Sequence, residues 1–243
     1  MTELLLSSIV VLFASVGPLI FPAAQAGYSS MPVLATRALL PAIAGLALLS
    51  VLLRSSHRAI SRAIVLGAAA GAIATLPLEV VRMTGFHYGY MPGNLPRLMG
   101  VLLLNRFAEG PSHASDLAGW AYHFWNGASF GILFVVLFGA RRRWLAALYG
   151  FAIGIGFMLS PVVVSLGVGL FGLEFSRGFP VTVLTAHLAF GSVLGLLARM
   201  FLGRQASLLW NSVSEALAKP KAANRGVRDQ CGYSIREFRL CSG

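Results

Sequence analysis

Six long apolar segments restrict this chain to one class of fold. A helix needs about 20 mostly apolar residues to cross about 30 Å of hydrocarbon, because each residue advances it by about 1.5 Å. The segments that meet this requirement are residues 4–24, 38–53, 63–81, 117–140, 144–172 and 180–202. The sequence therefore predicts an all-α integral membrane protein with six transmembrane helices, which we number as spans one to six.

The composition excludes the main alternatives. Hydrophobic residues make up 57% of the 243 residues and charged residues only 11%, whereas charged residues make up about 25% of an ordinary soluble domain. A disordered chain is excluded, and so is a soluble enzyme, because nearly every stretch between polar clusters can enter a bilayer. The sequence also contains no phosphate-binding loop, dinucleotide fingerprint or H-E-x-x-H zinc motif.

Four details of the apolar segments carry further expectations. The second span is short, and an earlier start near Val33 would place Arg37 where its side chain reaches the membrane surface. The fifth is long and contains Pro161, which permits a kink. The run 98–104 is too short to span and is expected to form an interfacial or re-entrant piece. Residues 24–26 resemble a signal-peptide cleavage site, but no Lys or Arg precedes the apolar core, which favours a retained anchor.

The distribution of positive charge predicts the orientation. Lys and Arg are retained on the cytoplasmic side of a membrane protein. With the N-terminus inside, fourteen of the 19 Lys and Arg residues fall in cytoplasmic segments. The five outside are Arg37, Arg82, Arg97, Arg106 and Arg177. Both termini are therefore expected in the cytoplasm, and the compact loops are typical of a bacterial inner-membrane protein.

Three regions are expected along the chain: a polytopic membrane domain (1–205), an amphipathic interfacial helix (206–218) and a basic, disordered cytoplasmic tail (219–243). The tail is expected to attract anionic lipid, since each basic residue near the surface contributes about 1 kcal/mol. No nucleic-acid partner is predicted, because the basic residues form no recognisable motif. Cys231 and Cys241 have no neighbouring histidine or C-x-x-C spacing and are interpreted as free thiols.

Small residues spaced four apart recur in spans three to six. Such spacing lets membrane helices approach closely through their backbones. The pairs are Gly67 and Gly71, Gly127 and Gly131, Gly150 and Gly154, and Gly191 and Gly195. Because four successive helices carry the pattern, the sequence predicts a glycine-packed bundle of helices three to six.

The same helix faces carry ionisable residues. Steps of four continue from Gly71 to Glu79 in span three, and they place His123 before Gly127 and His187 before Gly191. Both histidines lie about 10 Å from the outer boundary at about 1.5 Å per residue. Ionisable groups are rare in lipid, so these three residues form the candidate site in the outer part of the bundle.

Two ligand-binding hypotheses follow. Two histidines and one carboxylate suit a transition metal, with Glu79, His123 and His187 as ligands. Asn126 and Arg82 would then orient those ligands through hydrogen bonds to them. Alternatively, His123 and His187 would hold a b-type haem between parallel helices. The cofactor is therefore a metal or haem b, or is absent.

Other functions stay open at this point. The same groups could carry protons in a coupled transporter of small solutes, or a Ser129–His187 dyad could act as a nucleophile and base. The protein could also be a non-catalytic membrane subunit or assembly factor, or a homo-oligomer. In a purely structural interpretation, Glu79 pairs with Arg82 as an exposed ion pair worth roughly 0 to 1 kcal/mol.

Overall fold

A computed structural model describes residues 2–214 and residue 217. Within them the chain is helical and contains no β-strand. The helices are α1 (Thr2–Gln25), α2 (Met31–Leu34), α3 (Leu40–Ser56), α4 (Arg58–His87), α5 (Leu95–Leu103), α6 (His113–Phe138), α7 (Trp144–Met158), α8 (Pro161–Ser165) and α9 (Gly178–Leu202). A π-helical turn, Ala35–Leu39, joins α2 to α3, and a 3-10 turn, Leu170–Gly172, precedes α9.

Six helical segments are long and apolar enough to cross a membrane, which confirms the predicted polytopic all-α fold. They are Thr2–Gln25, Met31–Ser56, Arg58–His87, His113–Phe138, Trp144–Ser165 and Gly178–Leu202. The second begins at Met31, because the π-helical turn keeps α2 and α3 continuous, and Arg37 lies exposed on its surface. The earlier of the two predicted starts is therefore the one observed.

The fifth and third spans differ from their predicted bounds. Helix α7 ends at Met158, and Pro161 begins the short helix α8 instead of kinking one long helix. Proline suits a first helical position because it lacks the N–H that would be unpaired there. Helix α4 continues to His87, so Arg82 lies within the helix and not in the following loop. The run near residue 98 forms α5, a nine-residue helix that packs on α6.

Helix α4 lies at the centre of the molecule. It packs against α6 on one side and α9 on the other, and α9 in turn packs against α7. Helices α1 and α5 pack on α6, while α3 packs on α4. Side chains such as Ile132, Phe134 and Leu194 are fully buried between these helices.

The glycines bring two helix pairs together. A Cβ atom on Gly71 of α4 would overlap the carbonyl oxygen of Gly127 of α6, and one on Gly150 of α7 would overlap the carbonyl oxygen of His187 of α9. The other glycines predicted at helix contacts also face the partner helix of their pair: Gly67 and Gly131, and Gly154, Gly191 and Gly195. The predicted bundle thus consists of two glycine-lined pairs, α4–α6 and α7–α9, joined by the α4–α9 contact.

Both ends of the described chain pack on this core. In α1, Val10 and Ala14 are fully buried, and the Tyr122 hydroxyl donates to the Gly17 carbonyl at 2.7 Å. Residues 208–214, inside the expected interfacial helix, are helical. They are held by the Ser207 hydroxyl, which donates to the Leu137 carbonyl at 2.7 Å. The expected tail, 219–243, lies outside the described residues.

Candidate functional site

A buried ion pair lies near the C-terminal end of α4. Glu79 and Arg82 are three residues apart, so their side chains lie on one face of the helix. Arg82 Nε donates to Glu79 Oε1 at 2.8 Å, and Arg82 Nη2 donates to Glu79 Oε2 at 2.6 Å. The pair has two parallel hydrogen bonds, the geometry in which guanidinium and carboxylate interact most strongly.

The expectation that this ion pair is exposed was wrong. Only 7% of Glu79 and 4% of Arg82 is accessible. The reason is that α4 extends beyond residue 81 and the following segment folds over it. Asn94, which caps α5, lies 3.5 Å from Arg82 Nη2 through its side-chain oxygen. Arg97 at the start of α5 is paired in turn with Asp116 of α6 at 3.0 Å, and this hydrogen bond raises the pKa of Arg97.

His123 of α6 completes a three-residue cluster. Its Nε2 atom lies 2.8 Å from Glu79 Oε1. The contact is close enough for an ion pair, but the N–H direction does not meet hydrogen-bond geometry. The close approach of Gly71 and Gly127 brings α4 and α6 near enough for these side chains to meet. The glycine pattern therefore determines the position of the polar cluster.

His187 has a separate set of contacts. Its Nδ1 lies 2.8 Å from the Val183 carbonyl oxygen. Because a carbonyl only accepts, Nδ1 carries the proton and Nε2 is the nitrogen left for another partner. The ring stacks on Phe157 with centroids 6.1 Å apart, and Gly154 leaves space for it. His187 thus hydrogen-bonds within α9, and only the packing of its ring against Phe157 and Gly154 contacts α7.

Arg82 and His123 of the polar cluster, together with His187, line one cavity of about 340 Å³. Its wall includes residues of α1, α4, α5, α6, α7, α8 and α9. Most of its wall is apolar and includes Phe130 and Phe157. The polar side chains in the wall are Thr75, Arg82, His123, Asn126, Ser160 and His187. A mostly apolar wall with a few convergent polar groups is typical of a small-molecule site.

Three polar atoms of side chains in this wall are buried without a hydrogen-bond partner among the described residues. They are Nη1 of Arg82, Oδ1 of Asn126 and Nε2 of His123, whose contact with Glu79 lacks hydrogen-bond geometry. Buried polar groups are nearly always paired, so such atoms require an explanation. Arg82 uses Nε and Nη2 on Glu79, which leaves Nη1 of this cavity-lining side chain as a charged N–H group without a partner.

The predicted ligand sets are not assembled as metal sites. In the part of the chain that the structure describes, no group of three or more His, Cys, Asp or Glu side chains could hold a metal ion. The oxygens of Glu79 are engaged by Arg82 and His123. Bis-histidine haem ligation would first require Nε2 of His123 to leave Glu79. Ser129 lies against Gly17 of α1 and makes no hydrogen bond to His187.

Sequence reasoning did not identify the aromatic wall of the cavity. A usable signal was present for Phe130, which lies seven residues after His123 and therefore on the same helix face. Phe157 similarly lies three residues after Gly154. No sequence pattern indicated that α1 contributes to the cavity wall, because its apolar residues are distributed all around the helix.

Comparison with known proteins assigns no family. No protein-family model, curated protein or solved structure matches this chain. Any functional conclusion therefore depends on the geometry of the cavity.

Proposed function

We propose that this membrane protein binds a small, largely apolar molecule whose head group is a hydrogen-bond-accepting oxygen, a carboxylate or a carbonyl. The observation that carries the proposal is the buried Nη1 of Arg82, which has no hydrogen-bond partner in the described chain and belongs to a side chain that lines the cavity. An oxygen of the ligand would accept from this N–H group. A charged donor is favoured for that role, since charge-assisted hydrogen bonds are about twice as strong as neutral ones.

The rest of the cavity suits an apolar body. Its volume of about 340 Å³ lies within the range of about 300 to 1,000 Å³ that is usual for ligand pockets. Phe130 of α6 lines the same cavity as Arg82, and Phe157 of α7 and Phe190 of α9 extend the apolar surface. Burial of hydrocarbon against such walls supplies affinity at about 25 cal/mol per Å², while the single polar end fixes orientation.

Binding of two probes and a control to the purified protein tests the proposal. We expect decanoate or decylubiquinone to bind, and decane, which lacks an acceptor, to bind at least about tenfold more weakly, the equivalent of 1.4 kcal/mol. Arg82→Lys keeps a positive charge beside Glu79 but loses the forked donor geometry. The variant should therefore bind decanoate or decylubiquinone, whichever the unchanged protein binds, about tenfold more weakly.

The matched control is Arg97→Lys. Arg97 also pairs with a carboxylate, that of Asp116, but it lies outside the cavity. This variant should bind the probes like the unchanged protein. Equal affinity for decane and the two acceptor probes, or an Arg82→Lys variant that binds as well as the original, would contradict the proposal.

Proton-coupled movement of the same molecule is the second candidate. It is favoured by one observation: His123 contacts Glu79, and His187 lines the same cavity. Histidine titrates near physiological pH and can relay a proton. Uptake of decanoate into proteoliposomes should then depend on an imposed pH gradient and fall when His123 is replaced by Gln. Uptake that does not depend on the pH gradient would contradict proton coupling and leave ligand binding as the proposed function.

We also infer that the arginine-rich end of the molecule faces the cytoplasm of a bacterial cell, where its basic residues meet anionic lipid. The support is the excess of Lys and Arg on that side of the six spans. In a Cys231→Ser, Cys241→Ser background, Glu109→Cys should react with an impermeant maleimide in intact cells. Arg142→Cys should react only after permeabilisation, and the reverse pattern would overturn the orientation.

Copurification tests whether the protein acts as a subunit or assembly factor. A stoichiometric membrane partner retained in mild detergent would favour a role within a larger complex. A single species that binds decanoate or decylubiquinone without a partner would favour a self-contained binding protein.

A further inference from the structure

The cavity reaches the outer surface of the helices at one place. Two of its wall residues, Leu19 of α1 and Gly156 of α7, are exposed, although most of the wall is buried or partly buried. Leu19 is 61% accessible. Helix α1 packs on α6, α3 and α8 but makes almost no contact with α7. A gap between α1 and α7 therefore leads from the surface to the cavity.

The gap lies at the depth of the hydrocarbon. Gly156 is twelve residues beyond Trp144, the first residue of α7, which corresponds to about 18 Å along the helix. Because the hydrocarbon is about 30 Å thick, this level is far from either membrane surface. Outside the gap lie lipid chains, which only an apolar molecule can cross with little cost.

The outer, water-facing end of the cavity is covered. Met91 in the segment after α4 and Met99 of α5 are both buried and both line the cavity. At the same end, the Ser165 hydroxyl of α8 donates to the side-chain oxygen of Gln25 of α1 at 2.7 Å. Helices α1 and α8 are thus joined beyond the gap, and the path to water is closed while the path to lipid is open.

Gly156 differs from the other glycines of α7. A Cβ atom on Gly150 or Gly154 would meet α9, whereas a Cβ atom on Gly156 would meet nothing within 4 Å. Close helix packing therefore does not explain this glycine, although glycine in a helix interior is about 1 kcal/mol less favourable than alanine. Its effect is to leave the gap without a side chain on the α7 side.

We propose that the cavity takes its ligand directly from the lipid bilayer, through a lateral portal between Leu19 of α1 and Gly156 of α7. The inference rests on the proposed function and narrows it to molecules that partition into membranes. The acceptor head group enters first and reaches Arg82, and the apolar body follows along Phe157. A water-soluble solute of the same size is excluded by the covered outer end.

Cysteine labelling tests the portal without reference to the ligand. Ala186 lies inside the cavity and is 2% accessible. In the Cys231→Ser, Cys241→Ser background, Ala186→Cys in liposomes should react with a lipid-soluble N-alkylmaleimide, and much more slowly with a charged maleimide. Adding Gly156→Phe should slow the reaction with the lipid-soluble reagent by about tenfold or more, because the ring fills the portal.

Ala152→Phe is the matched control, since Ala152 lies one turn earlier on the same exposed face but does not line the cavity. It should leave the labelling rate unchanged. Leu19→Trp narrows the gap from α1 and provides a second blocking variant should Gly156→Phe fold poorly. Unchanged labelling in a folded blocking variant, or equal slowing by Ala152→Phe, would overturn the portal.

The binding and labelling results separate the two proposals. Blocked labelling together with no binding of decanoate or decylubiquinone would retain the portal and reject the proposed ligand class. Binding that Arg82→Lys weakens, with labelling that Gly156→Phe leaves unchanged, would retain the ligand class and reject the portal.

Discussion

Gly71→Leu is expected to leave little folded protein. A Cβ atom at this position would overlap the carbonyl oxygen of Gly127 and would lie 2.9 Å from its carbonyl carbon. These are backbone atoms, so no side chain can rotate away, and α4 and α6 must separate. Overpacking costs about 1 to 3 kcal/mol where side chains can adjust, and the loss should exceed that range here. Against a total stability of about 5 to 15 kcal/mol, the change is severe.

The measurement is the yield and thermal stability of monodisperse protein in detergent, with Gly156→Ala as the control. Gly156 is also a helical glycine, but its Cβ would meet nothing within 4 Å. Its replacement by alanine should leave stability unchanged or raise it slightly, by up to about 1 kcal/mol. A Gly71→Leu variant as stable as Gly156→Ala would show that α4 and α6 do not pack as described.

The glycine spacing predicted the packing faces but not the pairing of the helices. Four-residue periodicity is a local property, and each face follows from its own span. Which face meets which depends on tertiary contacts that no single segment encodes. Thus Gly71 faces Gly127 and Gly150 faces α9, an arrangement of two pairs that the sequence could not specify. The number and type of spans, by contrast, follow from length and hydropathy alone.

The candidate site, like the helix packing, could be predicted from the sequence only in part. Helix periodicity placed Glu79 and His123 on the glycine-bearing faces of their helices, and in the structure His123 Nε2 lies 2.8 Å from Glu79 Oε1. It could not show that Arg82 is buried, because the apolar segment ends at residue 81 whereas α4 continues to His87. It also could not reveal the cavity, whose wall combines residues from seven helices. Whether these residues act on a ligand stays a prediction.

Glu79→Leu is expected to destabilise the protein strongly. The substitution leaves Arg82, only 4% accessible, as a buried charge without its two hydrogen bonds to the carboxylate. Removing one member of a buried ion pair costs about 3 to 5 kcal/mol. Glu109→Leu is the control, because Glu109 pairs with Arg106 at the same spacing and at 2.8 Å but is exposed. That change should cost roughly 0 to 1 kcal/mol.

The double variant Glu79→Leu, Arg82→Met separates stability from binding. Replacing a whole buried ion pair by apolar side chains is often neutral or stabilising, so the double variant should recover the thermal stability that Glu79→Leu loses. It should nevertheless fail to prefer decanoate or decylubiquinone over decane, because the donor at the cavity wall is gone. A double variant that folds and still shows the preference would mean that the acceptor head group does not bind Arg82. A double variant as unstable as Glu79→Leu would mean that the lost stability came from contacts of Glu79 other than the ion pair, with His123 the nearest candidate.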